Sequence, residues 1–134
     1  MATLKLEIVT PEAKVYSEDV DMVTLPGVEG EMGIFPMHIP LMTQLAAGEV
    51  VARKGGQDFF LAVGDGFVEV TGDRVSILTD MAIKAENIDE AKAEEARRRA
   101  EARLAEKIDD EEAALVNASL AHSLAQLKVK RRMK

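Results

Sequence analysis

The 134-residue sequence has no cysteine, no tryptophan, a single tyrosine and only two histidines. Without cysteine there is no disulfide framework and no thiolate metal site, a composition that fits a reducing compartment. The histidines, His38 and His122, are far apart and lie in no HxxxH or HExxH pattern, whereas a zinc centre needs several ligands at close spacing. No metal is expected. No apolar run approaches the roughly 18–20 residues that cross a bilayer, so direct transmembrane insertion is not expected. The opening MATLKLEIVT lacks the basic region and apolar stretch of a signal peptide. Catalytic signatures are missing too: there is no GxSxG and no Cys nucleophile, and neither histidine sits in a recognisable motif. Gly27, Gly30 and Gly33 match neither GK[ST] nor GxGxxG, and Glu29 and Glu31 beside them would repel a phosphate. These glycines are read as serving turns and close backbone approach.

What is present divides in two. The net charge of -7 comes from residues 1–84, which carry 6 basic and 13 acidic side chains, while residues 85–134 balance at 11 and 11. An acidic surface repels phosphodiester backbones, so nucleic acid is not expected as a partner. Up to about Ile83 the apolar residues alternate in short runs, as in LKLEIVT and DVDMVTL, and Gly55–Gly56 marks a tight hairpin. The reading places strands at 3–10, 14–17, 20–25, 31–34, 41–47, 49–54, 57–63, 66–71, 74–79 and 82–83, an antiparallel sandwich or flattened barrel.

After Asn87 the period lengthens. NIDEAKAEEARRRAEARLAEKI has no glycine or proline and is rich in strong helix formers, with Asn87 or Asp89 available as its cap. Its stripe is thin: Ala93, Ala96, Ala100, Leu104 and Ile108. A second helix follows the Asp109–Asp110 turn, with Ala113, Val116, Leu120, Leu124 and Leu127 on its stripe. The two form an antiparallel hairpin, and so alanine-rich a face buries little area, which suits an element able to detach.

The basic groups admit two readings each. Arg97, Arg98, Arg99 and Arg103 form either a polyphosphate site or, preferably, a solvated face supported by Glu94–Arg98 and Glu95–Arg99 at i,i+4. The tail KVKRRMK either meets an acidic protein or anionic lipid, or is a frayed solubilising end.

The passage GVEGEMGIFPMHIPLMTQLAAGEV, with FLAVGDGFVEVTGDRVSILTDMAIKAENIDEAKAEEARRRAEARL after it, closely resembles the epsilon subunit of bacterial F-type ATP synthases, the counterpart of mitochondrial delta. The resemblance covers nearly the whole chain. It implies an α+β protein: a ten-stranded sandwich over residues 1–84 that binds the gamma subunit and the c-ring, and a regulatory helical hairpin over 85–134. Such a protein is a non-catalytic rotor subunit, peripheral on the cytoplasmic face of the bacterial plasma membrane. Glu29, Gly30, Glu31 and His38 match the family loop that faces the c-ring, with Met37 replacing the more usual glycine before His38. The family's hairpin either lies on the sandwich or extends into the catalytic head and blocks ATP hydrolysis. In that extended form the sign of Arg97, Arg98, Arg99, Arg103, Lys128, Lys130, Arg131, Arg132 and Lys134 suits acidic segments of the catalytic beta subunits within the alpha/beta head. Some members bind ATP on the folded hairpin through I-D-x-x-R-A. Here Ile88, Asp89, Ala93 and Arg99 remain, but Lys92 replaces an arginine, and two further arginine positions are His122 and Gln126. Lysine lacks the arginine fork, so ATP binding is expected to be weak or absent and no cofactor is expected.

Overall fold

The computed structural model describes residues 2–132. Ten strands come first: β1 Leu4–Val9, β2 Lys14–Val20, β3 Met22–Gly27, β4 Gly30–Ile34, β5 His38–Leu45, β6 Gly48–Lys54, β7 Gln57–Val63, β8 Gly66–Gly72, β9 Arg74–Thr79 and β10 Ala82–Lys84. Every expected strand is present. Several boundaries shift by one to three residues, and the two largest shifts, at the end of β2 and the start of β5, have local reasons. The acidic Glu18–Asp19 pair, read as a break, continues β2 opposite Lys5 and Leu6 of β1, because an outer strand keeps alternate side chains in water. Pro40 conceals the start of β5, which begins at His38 and passes a register irregularity before Leu41, the kind of place where a strand tolerates proline.

The strands pair in the order β10-β7-β6-β3-β5-β8-β9-β1-β2, with β4 added beside β3. One pair departs from the antiparallel expectation: β1 and β9 run parallel, Leu6 beside Val75 and Ile8 beside Ile77. A parallel pair needs a long connection, and all of β2 to β8 lies between these two. Glu7 braces the arrangement, accepting from Lys14 of β2 at 2.9 Å and from Arg74 of β9 at 2.6 Å. The hydrogen bond from Lys14 is the main reason its carboxyl is held below the usual carboxylate range.

Period-two alternation builds the core. Leu4, Leu6 and Ile8 of β1, Val23 and Leu25 of β3, Val50 and Ala52 of β6, Leu61 and Val63 of β7, and Val68 to Ile77 on β8 and β9 turn alternate side chains into one buried cluster. At about 1.5–3 kcal/mol for each fully buried large aliphatic side chain, this cluster dominates stability.

A short 3-10 turn, Ala85–Asn87, leads to helices α1 Glu90–Leu104 and α2 Asp110–Arg132. Both starts are capped by aspartate: Asp89 accepts from the Lys92 amide at 3.1 Å and Asp109 from the Glu112 amide at 2.8 Å. Helix α1 stops at Leu104, short of the expected reach, and Ile108 is half-buried in the connection. The expected α2 stripe also needs correction. Leu127 is buried and Val116 and Leu120 half-buried, yet Leu124 is 48% exposed, while Ala125 and Val129 are buried. Helix α2 lies against both α1 and the outer face of β6 and β7, so it buries two faces where the sequence reading allowed one. Ala125 and Val129 meet Ala62, Ala85 and Ile88, flanked by Phe60, Met81 and Ile83, in a second cluster separate from the main core. The hairpin is therefore docked on the sandwich through a small patch of mostly small side chains.

Candidate functional site

The β3–β4 turn presents Glu29 and Gly30, both exposed, with Glu31 next on β4. Gly30 has φ +131, and a Cβ on Gly27 would stand 2.9 Å from the Gly30 carbonyl oxygen, so this turn closes only with glycine at both corners. His38 opens β5, beyond the other end of β4. Four steps of strand at about 3.3 Å place the Gly30 and Ile34 ends roughly 13 Å apart, and the Phe35–Met37 connection then leads into β5. The structure thus presents two tips, an acidic turn and an apolar connection carrying the histidine.

At the second tip Ile34 is buried, whereas Phe35 is 59%, Ile39 78% and Met37 85% exposed. Met37 has φ +65, the left-handed region where a side chain costs about 1–2 kcal/mol relative to glycine. The residue that replaces glycine here therefore keeps the glycine conformation, at the cost of strain. His38 is half-buried, and its Nδ1–H donates to the Ile39 carbonyl at 2.7 Å, leaving Nε2 to carry any outward contact.

A second apolar surface was not singled out from the sequence. Phe67 and Leu78 sit opposite each other on β8 and β9 and are more than half exposed, with Met42 nearby on β5 and Val28 bonded through its N–H to the Gln44 carbonyl. The signal was available: period two assigns Phe67 and Leu78 to the outward face, where a solvated sheet places polar groups.

The hairpin's basic groups are mostly committed. Arg97 pairs with Glu94 and, at 2.6 Å, with Glu101; Arg98 reaches Glu94 at 3.5 Å; Arg103 pairs with Glu106 and Glu112 at 2.5 Å. The Arg97 hydrogen bond, helped by Arg131, holds the Glu94 carboxyl below the usual range. Glu95–Arg99 is not among the ion pairs of the described residues, and Arg99, Lys92 and Lys128 are exposed there without an ionic partner. Arg131 ties the end of α2 to the start of α1 through Glu90 at 3.2 Å and Glu94 at 2.9 Å. Lys130 donates to the Ala85 carbonyl at 3.4 Å. Arg132 reaches Glu49 of β6 at 2.8 Å. His122 meets Asp80 at 3.1 Å in the β9–β10 connection. Lys134, part of the expected basic tail, lies outside the described residues.

Around the start of α1, Ile88 and Ala93 are buried and Asp89 is spent as a cap, while Lys92 points to solvent. Arg99 is ten residues along α1 from Asp89, about 15 Å at helical rise. Gln126 faces Met81, its amide 3.9 Å from the sulfur.

A sandwich bearing a docked two-helix hairpin, with apolar side chains held out at strand tips, is a scaffold that presents surfaces to other proteins. Its two parts match, in order, the ATP synthase delta/epsilon chain beta-sandwich domain over residues 3–85 and the delta/epsilon chain long alpha-helix domain over residues 86–131. The chain belongs to the ATP synthase delta/epsilon chain family. It is 52% identical over 130 residues to an ATP synthase epsilon chain of Dehalococcoides mccartyi, spanning 96% of this chain and 93% of the relative. It is 48% identical over 126 residues to an ATP synthase epsilon chain of Syntrophobacter fumaroxidans, spanning 94% of each. Among solved structures, a chain of the Euglena gracilis mitochondrial ATP synthase, in a complex described as OSCP/F1/c-ring, superposes with a TM-score of 0.79 at 26% identity over 96% of this chain and 81% of that one. A chain from the central stalk and c-ring of the Tetrahymena thermophila enzyme shares the fold, with a TM-score of 0.64 at 14% identity over 95% and 96% of the two chains.

Proposed function

We propose that this chain is the non-catalytic central-stalk subunit of an F-type ATP synthase, coupling c-ring rotation through gamma to the catalytic head. It works from the cytoplasmic face of the bacterial plasma membrane, without inserting. The observation that carries the reading is that both halves of the chain match, in order, the two domains of one subunit family and keep that order in relatives of nearly equal length. In this reading residues 1–84 bind gamma and the ring. The acidic turn with Glu29, Gly30 and Glu31, and the tip with His38, offer polar contacts to the ring loops. The exposed row of Met42, Phe67 and Leu78 suits an apolar protein partner such as gamma. Co-purification with gamma and c-ring subunits tests the assignment.

Residues 85–134 are the regulatory arm. Docked, the hairpin rests on the small cluster of Ala125 and Val129; extended, it enters the catalytic head and stops ATP hydrolysis. Its exposed cations Arg99 and Lys128 are free for acidic segments of the catalytic alpha/beta subunits at once, whereas Arg98 would first leave Glu94. Arg97, Arg103, Arg131 and Arg132 would first exchange partners.

A nucleotide-sensing hairpin is the other reading of the arm, and the local charges weigh against it. Asp89, Glu90 and Glu94 crowd the start of α1, with Lys92 the one cation of that first turn. Titrating ATP into the full chain should produce no saturable heat up to about 1 mM, a free energy weaker than about 4 kcal/mol. A micromolar isotherm would overturn this.

A further inference from the structure

Glu49 has no use in the function proposed above, yet its side chain is only 4% exposed. It sits on β6, where Val50 and Ala52 turn into the core and Glu49, Val51 and Arg53 turn to the face that α2 covers. The other buried polar residues among those described, Thr79 and Ser123, satisfy their hydroxyls on backbone carbonyls. Glu49 does not: its buried Oε2 makes no in-line hydrogen bond. What faces that oxygen is the Arg132 guanidinium, Nε at 2.8 Å, contributed by the last turn of α2. The contact is a close charge pair without aligned hydrogen-bond geometry. Arg132 also lies over the Phe60 ring at 5.6 Å, which ties it to the second cluster.

The surroundings make this arginine hard to replace. The groove of about 210 Å³ that holds the pair is lined by Met22, Thr24 and Val51 and by three further charges, Glu31, Arg53 and Asp58. Arg53 is committed to Asp58 at 2.9 Å. Remove Arg132 and the groove keeps an uncompensated buried carboxylate beside Glu31. A buried ion pair adds little net stability, because desolvation offsets attraction, but breaking it from one side is strongly unfavourable. The two partners are also unequal: Arg132 is half exposed and keeps water when alone, while Glu49 does not.

We infer that Glu49 and Arg132 form a latch, in which the buried carboxylate of the sandwich admits the hairpin only when the arginine at the end of α2 is seated on it. The apolar cluster under α2 is made mostly of small side chains that would accept several positions of the helix, and the charge pair selects one. Withdrawal of the helix hydrates Glu49, so the released state carries no buried charge and the two states stay close in free energy. The latch rests on the proposed reading of the hairpin as a mobile arm and names the residues that regulate it.

The test uses the full chain, whose lack of cysteine makes site labelling simple. Spin labels at Gln57→Cys and Lys128→Cys report the distance between the β6–β7 turn and the end of α2, both exposed positions. Arg132→Met keeps an apolar side chain but removes the guanidinium from both Glu49 and the Phe60 ring, and the released, long-distance population should rise at least tenfold. Glu49→Met should raise it less than threefold. Glu49→Met with Arg132→Met should return the distribution towards that of the parent, because no charge is left buried. An Arg132→Met chain that stays as docked as the parent would overturn the latch, as would a double variant as open as Arg132→Met alone. ATP hydrolysis by the assembled enzyme carrying Arg132→Met separates the two ideas. Stronger inhibition supports both, whereas an opened hairpin with unchanged hydrolysis supports the latch and assigns Arg132 itself to the head contact, the inhibitory reading being tested separately by deletion of residues 88–134.

Discussion

Removing residues 88–134 should raise ATP hydrolysis by the assembled enzyme about fivefold or more, the lower end of the 1–3 kcal/mol range typical of coupling between sites. The expectation follows from how the arm is held. Its docked face is the small cluster of Ala125 and Val129 on Ala62, Ala85 and Ile88, and its polar contacts to the sandwich include the Arg132–Glu49 pair and the contact of His122 with Asp80. Such an interface leaves docked and extended forms within a few kcal/mol, so a fraction of the enzyme is blocked at any moment. The truncated sandwich should still fold, since its main core of Leu4, Leu6, Ile8, Val23, Leu25, Val68 and Ile77 contains no residue of the arm. It will expose Phe60, Met81 and Ile83, so solubility serves as the control. Unchanged hydrolysis with normal assembly would sink the inhibitory role.

The largest effect on folding is expected from Gly66→Ala. A Cβ at Gly66 would stand 1.9 Å from the Leu78 carbonyl oxygen and 2.8 Å from the Thr79 Cα, both backbone atoms of the paired strand β9. No side chain can rotate away, so β8 and β9 must part where Gly66 pairs with Thr79. Overpacking against backbone should cost about 3 kcal/mol or more, which lowers the melting temperature on the order of 10 °C for a domain of this size. Gly55→Ala is the contrast. Gly55 has φ +61 with open space around it, so the cost there is conformational, about 1 kcal/mol. Equal melting temperatures for the two variants would contradict the packing argument.

How legible the molecule was depends on which contacts are local. Period two, with turn residues such as Gly55–Gly56, located all ten strands, and the long glycine-free run after Asn87 located α1, because these signals lie within a few residues of each other. The parallel β1–β9 pair was not legible, since its partners are separated by most of the sandwich and neither strand pattern records direction. Nor was the second buried face of α2. Ala125 and Val129 are buried only because β6 and β7 pass beneath them, a fact of tertiary packing that a helical stripe cannot show. The acidic turn was legible from its glycines, but its separation from His38 by the length of β4, and the glycine conformation kept by Met37, emerged only in the structure. The hairpin's charges were legible by sign but not by partner. The arginines read as a solvated face supported by Glu94–Arg98 and Glu95–Arg99, whereas Arg97 and Arg103 are bonded to other glutamates of the hairpin, and the burial of Glu49 shows only once α2 is laid over it.

The central claim is that the sandwich joins gamma to the c-ring as part of the rotor, and its most direct test is retention of the full chain on an immobilised gamma–c-ring complex. The parent should be retained, and Glu29→Lys with Glu31→Lys should weaken capture on the ring while leaving gamma binding intact, since both carboxylates are exposed and reverse charge without disturbing the core. A parent chain that passes through unretained, at concentrations where the rest of the stalk assembles, would contradict the account.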